Sequence, residues 1–332
     1  MNKNLLVVGI GSIGKRHIDN FSTYFDSIDI VDTRDDRLAE AKAKYNIRNS
    51  YNNYLNAINE NNYNSIAITV PPHLHLQIAK TAALKNINLF IEKPLGVNSE
   101  GWEEVISICK KNKLVNYVAF CHRHIPYTIK LKKLIEDKII GNIINFNMRW
   151  GSYLPDWHPY EDYRTFYMAK KDQGGGALLD ESHGLDLVRY LFGEVNHVYA
   201  NVGNFSDLEI TSDDCAFLTM VFKSRILSHI NFDLAARYPR INLEIVGSKG
   251  TIIWDRVEHK ISIYNADNES WSYDQYSKDD LMSMYPNQAK HYVDCINKIK
   301  KESVNIEDAL KTQKIIDASF QSSNQGKMIE II

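Results

Sequence analysis

The sequence predicts an α/β chain in two parts. Residues 1–122 read as a parallel α/β domain, and residues 123–332 as an α+β domain with a large, mostly antiparallel open sheet. Three observations carry this. The chain opens on an apolar run, Leu5-Leu6-Val7-Val8, that enters a glycine-rich turn, Gly9-Ile10-Gly11-Ser12-Ile13-Gly14. Strand-like and helix-like runs then alternate to about residue 120, the pattern of a parallel sheet covered on both faces. Beyond about residue 125, strand-like runs follow one another across short turns, as in an antiparallel meander.

In the first domain a helix begins at Lys15-Arg16-His17-Ile18 and leads to a second strand, Ile28-Asp29-Ile30-Val31. Ser65-Ile66-Ala67-Ile68-Thr69-Val70 is a buried strand stopped by Pro71-Pro72, whose rings remove backbone donors. A helix through Leu76, Ile78, Ala79 and Ala82 precedes the strand Asn88-Leu89-Phe90-Ile91, and a helix over 99–112 precedes a strand over 115–120. In the second domain a helix over 126–138 ends at Gly141, and a strand spans 143–150. An aromatic, charged loop over 153–164 leads to Gly174-Gly175-Gly176 and a helix over 177–192, closed by Gly193. Strands follow near 195–202, 215–222, 226–233, 241–246 and 251–254, with Lys223-Ser224 and Ser248-Lys249-Gly250 as turns. Helices near 280–300 and 306–322 lie outside the meander and can return to the first domain.

Composition narrows the function. At 332 residues, with 44% hydrophobic and 24% charged residues, the chain suits a folded two-domain protein. A formal net charge of -2 supplies no electrostatic footprint for nucleic acid or anionic lipid, so neither is an expected partner. Cys109, Cys121, Cys215 and Cys295 are scattered without a C-x-x-C, which favours reduced structural thiols over disulfides or a zinc site. The first residues already read as a sheet strand and no run approaches a membrane span, so the expected location is the cytoplasm.

The glycine turn has the spacing G-x-G-x-x-G between a strand and a helix. Gly9 permits the tight turn, Gly11 lets a pyrophosphate approach the backbone, and Gly14 lets helix pack on strand, with the phosphates at the positive end of the helix dipole. The plain alternative is a structural turn. Asp32 ends the second strand at the offset expected of a ribose-binding carboxylate. Its charge repels a 2′-phosphate and favours NAD over NADP. Arg34 and Arg37, close behind, are the groups that would hold a phosphate instead. Ligands gather at the carboxyl ends of parallel strands. The candidate cofactor contacts are therefore Gly9, Gly11, Ser12, Ile13, Gly14, Asp32, Thr33, Arg37, Val70, Pro71, His75, Glu92 and Lys93. His73 and His75 read chiefly as helix-start residues packing near cofactor.

Glu92-Lys93-Pro94 falls at a strand end, where a lysine ammonium can polarise a carbonyl or stabilise an alkoxide; the alternative is a solvated strand-end lysine. In Asp180-Glu181-Ser182-His183-Gly184-Leu185-Asp186, Asp180 and His183 are three apart and share one helical face. His183 is then a candidate general acid/base assisted by Asp180, or else a histidine packed against Tyr190 or the sheet. A metal at Asp180, His183 and Asp186 lacks further ligands, so none is expected. The glycine triplet lets backbone approach a ligand or another segment. Tyr153, Trp157 and Tyr163 suit a sugar ring, or a packed loop. Arg164, Arg237 and Arg240 suit a carboxylate or phosphate, the last two alternatively being strand-edge charges. Arg123 lines the substrate site or pairs with an acid.

Taken together, the N-terminal G-x-G-x-x-G, the Glu92-Lys93-Pro94 turn, the G-G-G-x-x-x-D-x-x-H run and the segment Leu243-Glu244-Ile245-Val246-Gly247-Ser248-Lys249-Gly250-Thr251 resemble the glucose–fructose oxidoreductase/inositol dehydrogenase (Gfo/Idh/MocA) family across essentially the whole chain. The resemblance implies a Rossmann domain, a C-terminal α/β domain that often assembles through its open sheet, and NAD- or NADP-dependent oxidation or reduction of sugar carbons. Lys93 corresponds to the family lysine, His183 to the acid/base and Asp180 to the motif aspartate. Well-known members separate that aspartate and histidine by four positions rather than three, which places more weight on His183. The aromatic loop and the D-x-S-H-x-x-D pattern resemble members linked to bacterial surface sugars, including nonulosonic acids.

These readings lead to an oxidoreductase acting on a secondary alcohol or ketone of a sugar or sugar acid, assembled as a homodimer or homotetramer. Two alternatives stay open. One is an enzyme that recycles NAD through transient oxidation to achieve epimerisation, elimination or glycoside cleavage. The other is a dinucleotide-sensing regulator, which would need neither Lys93 nor His183.

Overall fold

Runs of apolar residues with no polar face become strands buried on both sides in the first part of the chain. The computed structural model describes residues 3–157 and 159–331. The chain divides into two compact units, one of residues up to 121 with 284–310, the other of residues 122–283 with 311–332.

The first unit alternates β1 (Asn4–Val8), α1 (Ser12–Phe21), β2 (Ser27–Val31), α2 (Asp35–Lys44), β3 (Ile47–Tyr51), α3 (Tyr54–Glu60), β4 (Ser65–Ile68), α4 (His75–Leu84), β5 (Asn88–Ile91), α5 (Trp102–Asn112) and β6 (Asn116–Val118). All five strand pairings are parallel, in the order β3-β2-β1-β4-β5-β6. This is the doubly wound dinucleotide-binding order, whose switch point lies between β1 and β4. Period-two alternation sends Leu6, Val8, Ile66, Ile68, Leu89 and Ile91 to one layer, against Ala79, Ala82 and Trp102. Leu5, Val7, Ile30, Phe90 and Tyr117 go to the other, against Phe21 and Tyr292.

The second unit contains α6 (Pro126–Glu136), β7 (Ile143–Gly151), α7 (Ala177–Asp180), α8 (Ser182–Phe192), β8 (Val195–Gly203), β9 (Cys215–Phe222), β10 (Leu227–Asp233), β11 (Arg240–Gly247), β12 (Gly250–Asp255), β13 (Lys260–Asn265), β14 (Ser270–Gln275) and α9 (Lys278–Met282). Next come α10 (Met284–Ile296), α11 (Ile306–Gln325) and β15 (Ile329–Glu330). The sheet runs β14-β13-β12-β11-β7-β10-β9-β8-β15. Every pairing is antiparallel except β7 with β10, which the α7–α8 crossover and the β8–β9 hairpin separate in sequence. One face is apolar and buried, with Phe146, Met148, Leu218, Met220, Ile230, Phe232 and Leu243. On the other, Tyr199, Phe217 and Leu227 stay 37%, 54% and 53% exposed.

The segment 284–310 groups with the first unit, a return that the sequence reading left open for the closing helices, and two helices differ from expectation. There α10 supplies Ala289, Tyr292 and Val293 to the apolar layer, and Val118 N–H donates to Val304 O at 2.9 Å beside edge strand β6. The helix expected over 177–192 is broken at Glu181 (φ -84, ψ 20) into α7 and α8. The helix expected over 280–300 likewise splits into α9 and α10. Among the described residues, no helix is long and apolar enough to cross a membrane.

Candidate functional site

In the first unit the turn between β1 and α1 is shaped by close approaches. A Cβ on Gly9 (φ +97) would lie 2.7 Å from Thr69 O, and one on Gly14 would lie 2.0 Å from Gly9 O. Helix α1 can therefore sit against the turn only with hydrogen at both positions. Gly11 differs: the nearest atom to its Cβ would be Arg37 Nη1 at 3.8 Å. Gly11 is also the N-cap of α1, and no side chain caps that helix. An open cradle at an uncapped N-terminus fits a pyrophosphate, because the first-turn N–H groups of a helix have no partner within it. Ser12 is exposed and Ile13 half-buried beside it.

Asp32, 8% exposed, follows β2 and pins this turn. Its Oδ2 accepts the Ile10 N–H at 2.7 Å and its Oδ1 the Arg34 N–H at 2.9 Å. Arg37 Nη1 is 3.8 Å from Oδ2. Each carboxylate oxygen keeps a lone pair for a hydroxyl. Thr33 is exposed, and Val70 and Pro71 are half-buried at the end of β4.

The side chains of two candidate cofactor contacts are engaged within the chain. His75 is fully buried, with Nε2 2.8 Å from Val70 O and Nδ1 3.0 and 3.2 Å from Pro94 O and Leu95 O. It clamps two loops together, and burial pushes its pKa down, toward the neutral ring. Glu92 turns its carboxylate inward: Oε1 lies 2.6 Å from His17 Nε2, and Oε2 accepts the Lys93 N–H at 3.0 Å. Lys93 itself is half-buried on the turn after β5.

In the second unit, the break at Glu181 means that Asp180 ends α7 while His183 is the second residue of α8. Their three-residue spacing does not place them on one continuous helical face, which corrects the sequence expectation. Asp180 is buried and its Oδ1 accepts the Tyr167 hydroxyl at 2.7 Å. His183 is half-buried, its ring stacked on that of His122 with centroids 4.5 Å apart and planes 24° apart. The His122 ring also lies 5.0 Å from Trp150. Sequence reasoning missed both Tyr167 and His122. The only signal was a histidine in Cys121-His122-Arg123-His124 after the last parallel strand.

The glycine triplet serves a chain segment. A Cβ on Gly175 would lie 2.2 Å from Tyr167 O, and one on Gly176 (φ +117) 2.1 Å from Asp213 Oδ1. Asp213 Oδ2 accepts the Leu178 N–H at 2.9 Å, and burial pushes this carboxyl up to about 6. The segment carrying Tyr167 and the cap from Asp213 thus meet at the start of α7.

The basic and aromatic candidates are largely engaged. Arg123 forms a fork to Asp186, at 2.8 and 2.6 Å, so it pairs with an acid. Arg164 is held at 2.9 and 2.8 Å by Asp162 and at 2.8 Å by Glu209, while Tyr163 Oη accepts the Glu209 N–H at 3.2 Å. These contacts bind the loop to residue 209. Two exposed carboxylates are thus paired with Arg164. The Arg237 guanidinium lies 4.0 Å over the Tyr153 ring, and Trp157 Nε1–H donates to Ser152 Oγ at 2.8 Å.

Comparison with known proteins adds to this geometry. A family model described as "Oxidoreductase family, NAD-binding Rossmann fold" matches residues 3–120, and one described as "Oxidoreductase family, C-terminal alpha/beta domain" matches residues 132–331. Myo-inositol 2-dehydrogenase of Thermotoga maritima is 30% identical over 259 residues, covering 76% of this chain and 75% of that protein. Levoglucosan dehydrogenase of Pseudarthrobacter phenanthrenivorans is 32% identical over 173 residues, covering 52% and 44%. A solved levoglucosan dehydrogenase, in complex with NADH and levoglucosan, superposes over 100% of both chains with a TM-score of 0.88 at 21% identity, a likeness of fold.

Proposed function

This chain belongs to the oxidoreductase family of the NAD-binding Rossmann fold and C-terminal alpha/beta domain, and from that premise we propose that it interconverts a secondary alcohol and a ketone on a sugar or sugar derivative, with NAD as cofactor. The observation that carries this reading is one sheet of the first unit presenting both the open cradle at Gly11 and the Lys93 turn at its strand carboxyl ends. Gly11, Ser12 and Ile13 hold the pyrophosphate at the start of α1, and Asp32 accepts from ribose hydroxyls. Bound nicotinamide supplies the hydride acceptor for alcohol oxidation, or the donor for ketone reduction. His183 takes the hydroxyl proton in oxidation and returns it in reduction, and the Lys93 ammonium stabilises charge on the reacting oxygen. Tyr153 and Trp157 offer ring surface to the sugar.

The names of the relatives point the test toward myo-inositol and levoglucosan. Resemblance to surface-sugar members adds nucleotide-linked, phosphorylated and acidic sugars. NADH production from one member of that panel supports the reading; silence across the panel with both NAD and NADP overturns it.

Cofactor choice follows from the Asp32 charge. In fluorescence titrations NAD binds more tightly than NADP, by roughly tenfold, about 1.4 kcal/mol. Asp32→Ser narrows or reverses the gap, and tighter binding of NADP by the wild type counts against the assignment.

The exposed sheet face with Tyr199, Phe217 and Leu227 supports assembly as a homodimer or homotetramer through the second unit. Light scattering at micromolar concentration should give a mass at least twice that of the chain; a monomer refutes this.

A further inference from the structure

Helix α1 carries the Gly11 cradle at one end and, a turn and a half further on, a histidine that the chemistry above does not use. His17 is 1% exposed, its ring set edge-on to Phe90 (centroids 4.8 Å apart) and stacked near Phe21 (5.9 Å). From this apolar site Nε2–H donates to Glu92 Oε1 at 2.6 Å. Glu92 is 7% exposed, and its own N–H donates to Ile68 O at 2.9 Å, which keeps it in sheet register. Its second oxygen accepts the N–H of Lys93 at 3.0 Å. A continuous hydrogen-bonded path thus runs from α1 to the backbone of Lys93. His75 holds the far side of the same turn through Pro94 and Leu95.

Burying a histidine and a carboxylate costs more than packing two apolar side chains of similar size. Such a pair is by itself weak evidence for stability.

We infer that His17 and Glu92 are positioning residues that couple helix α1, where the cofactor pyrophosphate binds, to the turn carrying Lys93. This rests on the cofactor and Lys93 assignments proposed above. A pyrophosphate docked at the N-terminus of α1 fixes that helix, the fixed His17 orients Glu92, and the Glu92 carboxylate sets the Lys93 backbone.

The test is hydrogen–deuterium exchange on the full chain with and without NADH, a readout that needs no identified substrate. In the wild type, NADH slows exchange both in α1 and in residues 90–96. His17→Phe keeps an aromatic ring but loses the donor. It should speed exchange at 90–96 about tenfold, the worth of one hydrogen bond, and abolish the NADH effect there while leaving that effect in α1. His17→Gln restores a donor and should restore the NADH effect, which a merely structural role would not predict. Wild-type behaviour of His17→Phe at 90–96 overturns the inference, as does equal loss in the Phe and Gln variants. Should His17→Phe lose its cooperative melting, Glu92→Leu replaces it. A leucine accepts from neither donor, so unchanged NADH protection at 90–96 is then the refuting result. Lys93→Ala keeps its backbone N–H and the coupling. Full turnover in that variant with coupling intact would remove Lys93 from the chemistry and leave the path standing.

Discussion

Lys93→Ala and His183→Ala should each lower kcat by roughly 10²–10⁴, the usual worth of a positioned acid, base or charge, with NAD affinity and melting temperature close to wild type. The structure separates these effects. The Lys93 turn is held by its backbone, through Glu92 and His75, so removing the side chain removes the ammonium and leaves the turn. Helix α8 is anchored by Leu185, Leu187, Val188 and Leu191, all buried. The half-buried His183 ring adds its stack on His122, a contact whose loss costs on the order of 1 kcal/mol. Stopped-flow NAD binding, thermal melting and steady-state rates on the panel's substrate check the three quantities. Wild-type turnover in both variants would show that the chemistry lies elsewhere.

The parts of this arrangement that were legible in the sequence are those set by local chemistry. Buried parallel strands announce themselves because β1 and β4 have no polar face to alternate, and Gly9 to Gly14 combine spacing with context. What lay hidden depends on partners far along the chain. Nothing near Glu181 signals the helix break there, and the close approach of the Tyr167 segment and Asp213 to Gly175 and Gly176 is equally invisible in the local sequence. The amphipathic pattern of α10 says that one face needs burial but not which layer receives Tyr292. Strand β14 is exposed along most of its length, and its short alternation of Trp271 and Tyr273 with Ser270, Ser272 and Asp274 went unread. At the site, Arg123 was legible as a charge, but its Asp186 partner lies 63 positions away. Glu92 was legible at a strand end and His75 at a helix start, but not the inward turn of their polar atoms, to His17 and to backbone, which depends on partners elsewhere in the chain.

Gly11→Val should abolish measurable NAD binding and leave the fold intact, whereas Gly14→Ala should damage the fold itself. Both glycines belong to the same motif, so the contrast tests the cradle directly. Gly11 has φ -76 and ψ -167, ordinary extended backbone for any residue, and its Cβ would meet nothing closer than Arg37 Nη1 at 3.8 Å. A valine there should change stability by no more than about 0.5 kcal/mol. Its branches would occupy the volume a pyrophosphate needs against the N-terminus of α1. Losing two charge-assisted hydrogen bonds, at about 1.5–3 kcal/mol each, lowers affinity by roughly 10²–10⁴. At Gly14 the new Cβ would lie 2.0 Å from Gly9 O, a backbone atom that no side-chain rotation relieves. Helix α1 must then move off β1, at a cost of about 1–3 kcal/mol or more. Melting curves and NADH fluorescence titrations on the two variants separate the cases. Wild-type NADH affinity in a well-folded Gly11→Val would mean that the dinucleotide does not lie over this turn.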